Sequence, residues 1–339
     1  MKVAKSFTSY VWFVLVVVFL VIVAGSVVRT TQSGMGCPDW PTCFGSAIPP
    51  TDAQQVAFQP RHLYKKGQFI IYKDSLKYAK EKFISGFAYN PAYWKQYEKH
   101  NNATFSVLHT WIEYINRLLG ALLGIFVLIQ FAWSIPYFRH QPAIVLLSFL
   151  LVLLTGFQAW LGKTVVDSNL ALLKITIHMF GALAMVFVSL AILFQASGRH
   201  WVKAPKKIVL LTVLLGVIVL LQLLLGTQVR AEIDHIAEHF NYLNRSGWIS
   251  ELNFWFYIHR SFSLVVAGLS FYIFFLSRIR PNASVLAQRF IFVVILEIIV
   301  GVVLAYADFP QAAQPVHLLL SSVLIALVFN SILRLKIER

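Results

Sequence analysis

Eight long apolar stretches constrain this chain more than any other feature of its sequence. They lie near residues 11–28, 112–133, 142–161, 171–194, 208–226, 253–276, 288–306 and 315–334. Each is close to the roughly 20 residues that an α-helix needs to cross the hydrocarbon core of a bilayer. Apolar residues make up 58% of the chain and charged residues only 13%, a composition outside the soluble globular range. The sequence therefore predicts an all-α integral membrane protein with eight transmembrane helices.

The placement of Lys and Arg predicts the orientation of these helices. A short basic segment with Lys2 and Lys5 leads into the first stretch, and no small-residue cleavage site follows it, so we expect an uncleaved span. With the N-terminus in the cytoplasm, the basic short loops all fall on the cytoplasmic side, which is the positive-inside pattern. Both termini are then cytoplasmic. The net charge of +15 reflects topology and anionic membrane lipid, and we expect no nucleic-acid partner.

The first outer segment, about residues 29–109, is long and also basic, as in LYKKGQFIIYKDSLKYAKEKF. Loops of this length have little weight in the charge rule, so this segment does not change the predicted orientation. We expect it to contain a short surface helix, as part of a solvated amphipathic cap over the helices.

The two cysteines of the chain lie in this outer segment, in GCPDWPTCFG. Five residues separate Cys37 from Cys43, and the intervening prolines suit a tight loop whose ends can meet. On the oxidising side of a membrane, such a pair favours a disulfide over free thiols. Zinc binding is a weaker alternative, because no second pair or nearby histidine cluster completes four ligands.

An internal repeat relates the two parts of the chain. In order, AGSVVRT aligns with LGTQVRA, EYINRLLGALLG with FYIHRSFSLVVAG, QAWLG with EIIVG, and ITIHMFGALAMV with PVHLLLSSVLIA. The repeat predicts two tandem four-helix bundles of the same topology, related by a pseudo-two-fold axis along the membrane normal. We place the first half at residues 1–200 and the second half at residues 201–339.

The repeat aligns four polar positions that fall early in the even-numbered spans, namely Asn116, His178, His259 and His317. These spans run inward from the outer face, so all four positions lie at one level in the outer leaflet. One histidine inside a membrane usually makes a hydrogen-bonded helix contact. Matched positions in both halves instead favour haem, which two imidazoles on facing helices can bind. Zinc is the weaker alternative for these positions.

Other polar residues have simpler interpretations. His235 and His239 form H-x-x-x-H in an acidic outer loop, where we expect a solvated surface rather than a metal site. Glu297 has Gln158 as its repeat counterpart, which predicts hydrogen bonds between helices rather than chemistry.

Several motifs together resemble the haem A synthase family. They are GSVVRTTQSGMGCPDWPTCFG, the element from Glu113 to Arg117, LGKTVV after the third span, and the histidines at 178, 259 and 317. The resemblance covers nearly the whole chain except an insertion at about 55–100. It implies an eight-helix enzyme of the bacterial cell membrane that oxidises the C8 methyl of haem O to a formyl group, giving haem A for terminal oxidases.

The same resemblance implies the cofactor, the substrate site and the partners. It implies a haem b between His259 and His317, and the substrate haem O in the first half, with both sites toward the outer side. It also implies haem O synthase as a partner. The electron donor is not identified by any residue.

Glu113 is the predicted catalytic residue, because its repeat counterpart is Phe256 and only the first half has an acid there. A carboxylate can stabilise developing positive charge on the reacting carbon, or position and deprotonate water. The alternative is a structural ion pair with Arg117 at i+4. One residue could serve both roles.

The sequence departs from the family at Asn116, where many members have histidine. Asn is a poor iron ligand, so we expect the first-half haem to be bound by His178 alone or only weakly by a second group. His109 is a weaker candidate for that second ligand. Arg117 and Arg260 follow the ligand positions directly, and we expect them to bind haem propionates. Arg29 and Arg230 could do the same or extend to lipid phosphates.

Two other functions are compatible with the histidines. One is a b-type membrane cytochrome that only passes electrons, and the other is a haem carrier or assembly protein that performs no conversion. Neither needs Glu113.

Overall fold

The computed structural model describes residues 3–98 and 104–338 of the chain. Within them the chain forms nine α-helices: α1 Lys5–Thr30, α2 Val107–Ser134, α3 Pro142–Asp167, α4 Leu172–Ala196, α5 Lys206–His239, α6 Trp248–Glu251, α7 Phe254–Ser277, α8 Pro281–Tyr306 and α9 Ala313–Arg334. All except the short α6 are long and apolar enough to cross a membrane. The eight predicted spans are therefore confirmed, and the protein is a multi-pass membrane protein.

Helix α5 is longer than the apolar stretch that predicted it. The stretch ends near 226, whereas α5 continues to His239. The additional residues include Glu232 and Glu238, which favour helix although they are polar. Hydropathy identifies the part of a helix that can lie in lipid, so it does not detect such an extension. His235 and His239 lie exposed on this extension rather than in a loop.

The chain divides by its internal packing into two compact units. The first unit comprises the described residues of Met1–Val23, Leu123–Gly156 and Met179–Arg339. The second unit comprises the described residues of Ala24–Leu122 together with Phe157–His178. This division by packing does not test the halves at 1–200 and 201–339, which follow the repeat along the chain.

The first unit contains a bundle formed by α5, α7, α8 and α9. In it α5 packs against α7 and α9, and α8 packs against the same two helices. Gly216 of α5 allows close approach, since a Cβ there would lie 3.3 Å from Ile332 of α9. Buried hydroxyls donate within their own helices, as Ser270 does to the carbonyl oxygen of Val266 at 2.8 Å. The bundle thereby buries apolar surface without leaving these polar groups unsatisfied.

A second apolar cluster of the first unit joins parts of α1, α2, α3 and α4. Its fully buried side chains include Val11 of α1, Val127 of α2, Ile144 of α3 and Val186 of α4. Phe187 of α4 also packs against this cluster and stacks on Phe329 of α9, with ring centroids 4.5 Å apart.

The second unit contains five short strands: β1 Leu63–Tyr64, β2 Phe69–Tyr72, β3 Ser75–Ala79, β4 Phe83–Ile84 and β5 Trp94–Gln96. Strand β1 pairs with β4, and β3 lies between β2 and β5, all antiparallel. The β2–β3 hairpin turns at Lys73 and Asp74, whose φ angles of 50° and 53° suit a two-residue hairpin turn. Two further strands, β6 Val202–Ala204 and β7 Leu335–Ile337, pair in parallel within the first unit.

The described outer segment forms mainly strands, and its helical parts between α1 and α2 are three short 3-10 helices, Ser33–Met35, Ala53–Val56 and Pro91–Tyr93, rather than an α-helix. The quoted stretch 63–83 forms β1 to β4, and α2 is the first α-helix after α1 in the described residues. Aromatic and β-branched residues such as Phe69, Ile70 and Ile71 favour strands, and all three pair with residues of β3. The Lys-rich part of the stretch favours helix locally, but strand pairing overrides that preference.

Candidate functional site

Each of the four aligned polar positions lies against a glycine of a neighbouring helix. In the second unit, a Cβ added to Gly162 would lie 3.6 Å from Cε1 of His178, and one added to Gly25 would lie 3.9 Å from Oδ1 of Asn116. Because glycine has no side chain, these polar side chains can lie close to the backbone of the neighbouring helix.

The first unit repeats the same two contacts. A Cβ on Gly226 would lie 3.1 Å from Cε1 of His259, and one on Gly301 would lie 3.7 Å from Cε1 of His317. Each of these glycines is the repeat counterpart of a glycine in the second unit, so corresponding residues make corresponding contacts.

His259 and His317 face each other across the bundle of the first unit. Their ring centroids are 6.3 Å apart, with an angle of 82° between the ring planes. Two imidazoles bound axially to one metal, each through a bond of about 2 Å, have ring centres about 6 Å apart. The separation therefore fits an iron between the two rings, and these residues could hold a haem.

Glu297 of α8 contacts one of these two imidazoles. Its Oε2 lies 2.5 Å from Nδ1 of His317, although the two groups lack the alignment of a good hydrogen bond. The other carboxylate oxygen accepts a hydrogen bond from the Ser321 hydroxyl at 2.5 Å. A carboxylate at Nδ1 favours the tautomer whose Nε2 lone pair is available to a metal.

Glutamines occupy the matching place on two other helices. Gln222 Nε2 donates to the carbonyl oxygen of His259 at 2.9 Å, and Gln158 Nε2 donates to that of His178 at 3.0 Å. The interhelical contacts predicted for Gln158 and Glu297 are therefore confirmed. The sequence signal that could have predicted all three contacts is a Gln or Glu four residues before each of Gly162, Gly226 and Gly301.

The structure brings Glu113 together with the disulfide loop of the second unit. The Glu113 side chain is buried, with 3% of the residue exposed, and its Oε2 accepts the backbone N–H of Cys37 at 2.8 Å. Its Oε1 pairs with Nη2 of Arg117 at 2.5 Å. The i+4 pair weighed as an alternative is thus present. A carboxylate has about four lone-pair positions, so these two donors leave it able to accept more hydrogen bonds.

Arg117 is held by the disulfide loop as well as by Glu113. Its guanidinium donates to the carbonyl oxygens of Asp39 at 2.5 Å, Thr42 at 3.0 Å and Cys37 at 3.3 Å. Backbone carbonyls of the loop thus bind a cation of α2, a network that sequence reasoning missed. These contacts direct both Nη atoms to protein acceptors, and the predicted propionate role of Arg117 stays a prediction.

The predicted disulfide between Cys37 and Cys43 is confirmed, and both residues are buried. The Thr110 hydroxyl of α2 donates to the carbonyl oxygen of Gly36 at 2.9 Å. Gly36 is required here because a Cβ would lie 2.6 Å from the backbone of His109. The loop therefore packs directly on the start of α2, where His109 contributes backbone contacts.

Tyr97 contacts the same loop from the end of the outer segment. Its hydroxyl donates to the carbonyl oxygen of Pro38 at 2.6 Å. Burial, with smaller contributions from the Asp167 and Asp39 carboxylates, raises the pKa of Tyr97 to about 12.

Arg260 differs from its counterpart Arg117. It is exposed, and its guanidinium lies over the rings of Tyr257 and Phe256, at 5.2 and 5.7 Å from their centroids. Among the described residues, no hydrogen bond or ion pair engages this guanidinium. It is therefore available to an anionic group.

The fold and these two sites define a multi-pass membrane protein with paired intramembrane histidines and a disulfide loop fixed to a buried carboxylate. Residues 8–89 and 87–329 match the cytochrome oxidase assembly protein family (COX15-CtaA), and the chain belongs to that family.

Two curated relatives are similar to part of the chain. The Heme A synthase of Alkalihalophilus pseudofirmus is 28% identical over 193 residues, which is 56% of this chain and 46% of the relative. The Heme A synthase of Shewanella oneidensis is 27% identical over 214 residues, which is 61% of this chain and 53% of the relative. The matched region thus spans about half the length of each relative.

Proposed function

We propose that the protein is a haem A synthase, which oxidises the C8 methyl of haem O to the formyl group of haem A. Family membership and the two relatives of that name support this proposal. The observation that carries it is the buried carboxylate of Glu113, one turn before Asn116, because Phe256 occupies the corresponding place in the second half. A protein that only bound haem would have no use for this difference.

In this proposal, Glu113 is the catalytic residue. The Cys37 N–H and the Arg117 guanidinium fix the orientation of its carboxylate, and unused lone pairs can accept a water or the proton of one. Converting a methyl to a formyl group takes successive oxidations and the gain of oxygen, and the carbon becomes electron-poor. A fixed carboxylate nearby stabilises that developing charge.

The remaining first-half residues would bind the substrate. His178 would supply one ligand to the iron of haem O, and Asn116 would be a weak second ligand or none. Arg117 would bind a propionate either through its Nε or by giving up one of its hydrogen bonds to a loop carbonyl.

The second-half residues would bind the cofactor. His259 and His317 hold a haem b, and Arg260 binds one of its propionates. When bound, this haem supplies one-electron transfer. The two sites then divide the roles, with electron transfer in the second half and conversion in the first.

We further propose a bacterial cell membrane location, with both termini cytoplasmic and both haem sites toward the outer side. Haem O synthase would supply the substrate, and a separate donor or acceptor would exchange electrons. The sites lie among apolar helices that suit a farnesyl-bearing substrate in contact with membrane lipid.

Expression in a bacterium that makes haem O but lacks its own haem A synthase tests this function. The wild-type chain should cause haem A to appear in extracted pigment. A b-type cytochrome or a haem carrier would instead add bound haem b or haem O without any haem A, and that result would reject the proposal.

A further inference from the structure

The side chain of Glu297 has no role in the function proposed above. It lies in the interior of α8 with 12% of its side chain exposed, and its nearest polar neighbours are His317 Nδ1 and the Ser321 hydroxyl. A carboxylate inside a membrane helix is costly unless its partners need its charge. Both neighbours belong to α9, and one of them is a proposed iron ligand.

We propose that Glu297 is a positioning residue that sets the electronic character of the second-half haem through His317. This inference rests on the proposed bis-histidine site. A carboxylate close to Nδ1 favours the proton on that nitrogen, and this increases the basicity of Nε2. A more basic ligand stabilises the ferric iron and lowers its reduction potential.

The second ligand of the site lacks this contact. Neither His259 Nδ1 nor His317 Nδ1 makes an aligned hydrogen bond, but only His317 Nδ1 has a carboxylate oxygen at 2.5 Å. Gln222 contacts the His259 backbone carbonyl. The two axial ligands therefore differ, and the charge acts on His317 alone.

The first-half ligand also lacks the charge. Gln158 occupies the position of Glu297 in the repeat but donates to the backbone carbonyl of His178, whose Nδ1 is buried without a partner. The same helix position thus carries an anion in one half and a neutral amide in the other. This difference makes His317 a stronger electron donor toward an iron than His178.

Glu297→Gln tests the inference, because it removes the charge, keeps the shape and reproduces the residue of the first half. The measurement is a redox titration of the low-spin haem in the purified full-length protein, together with its electron paramagnetic resonance spectrum. We expect a higher midpoint potential and shifted g-values with the low-spin haem retained. Gln222→Met is the matched control, since it removes a contact to the other ligand's backbone without changing charge, and its potential should stay at the wild-type value.

Glu297→Asp provides a second variant for the same measurement if Glu297→Gln loses its haem. The shorter side chain keeps the charge but withdraws it from Nδ1, so the potential should rise by less than in Glu297→Gln. A wild-type potential in whichever of these variants retains the low-spin haem would overturn the inference, as would an equal rise in Gln222→Met. A wild-type protein without any low-spin haem would instead reject the bis-histidine site on which the inference rests.

Discussion

Cys37 and Glu113 are 76 positions apart in the sequence, yet the Cys37 backbone N–H donates to the Glu113 carboxylate at 2.8 Å. The disulfide at Cys37 limits how that N–H can move, and Arg117 ties both residues to the rest of the loop. The loop therefore serves as a rigid support for the buried carboxylate. Any change that breaks the Cys37 or Arg117 contact should also change the orientation of the Glu113 carboxylate.

Cys37 and Cys43 should resist alkylation until a reductant breaks the disulfide between them. Both sulfurs are buried, so free thiols at these positions would also escape labelling in the folded protein. The protein must therefore be denatured before labelling. Without reductant, we expect neither Cys37 nor Cys43 to react, and with reductant both should react. Breaking a loop of this size should cost about 2 kcal/mol of stability. Labelling of both thiols without reductant would contradict the structure.

Alkaline pH should loosen the loop through Tyr97. Its pKa is raised from 10 to about 12, so the neutral hydroxyl is favoured in the folded protein. The stability from this group is complete below pH 10 and is lost as the pH rises toward 12. The midpoint temperature of thermal unfolding should therefore fall more over this pH range for the wild type than for Tyr97→Phe, which lacks the ionisable group. Parallel pH profiles would show that Tyr97 does not contribute.

Two glycines of the second-half site should respond differently to the same substitution. Gly226→Ala places a methyl 3.1 Å from His259, which requires the ring to shift by a few tenths of an ångström, whereas Gly301→Ala meets His317 at an ordinary 3.7 Å. Alanine favours helix by about 1 kcal/mol in both cases, so helix stability is not the difference. We expect the low-spin haem spectrum to be altered or lost in Gly226→Ala and preserved in Gly301→Ala. The reverse order would contradict the ring positions.

Asn116→His should change the first-half haem. Gly25 leaves space beside this position, and the new imidazole would complete a pair with His178 like that of His259 and His317. With substrate haem bound, we expect high-spin signals of the wild type to become low-spin and turnover to slow, because the added ligand closes an open coordination position. An unchanged spectrum with haem demonstrably bound would mean that position 116 does not face the iron.

The membrane helices could be predicted because their signal is local and strong. Apolar stretches such as 142–161 must become helices in lipid, where backbone groups have no other partner. The disulfide could be predicted because its two cysteines are close in the chain and alone in it. Strands of the outer segment could not, since pairs such as Phe69 with Tyr78 form only after the chain turns back on itself.

The candidate site could be predicted only in part for a similar reason. The repeat identified His259, His317 and their counterparts, because it compares residues along the sequence. The hydrogen bonds from Arg117 to loop carbonyls were not predictable, because every residue has a backbone carbonyl and the sequence does not show which ones accept. Glu297 was recognised as an interhelical contact, but its approach to Nδ1 of His317 required coordinates.

The catalytic role of Glu113 is tested most directly by comparing Glu113→Gln with Thr110→Val in cells that supply haem O. The first variant removes the carboxylate charge with little change of shape. The second removes one hydrogen bond between the same loop and α2 but keeps the Cys37 N–H and Arg117 contacts that orient the carboxylate. The measurement is the ratio of haem A to haem O in extracted pigment, with the low-spin haem of the purified protein as the check on folding. We expect Glu113→Gln to lose haem A by at least about tenfold, a barrier increase of about 1.4 kcal/mol, and to keep its haem b. Thr110→Val should keep both haem b and activity. Wild-type haem A in Glu113→Gln would contradict the catalytic role of Glu113.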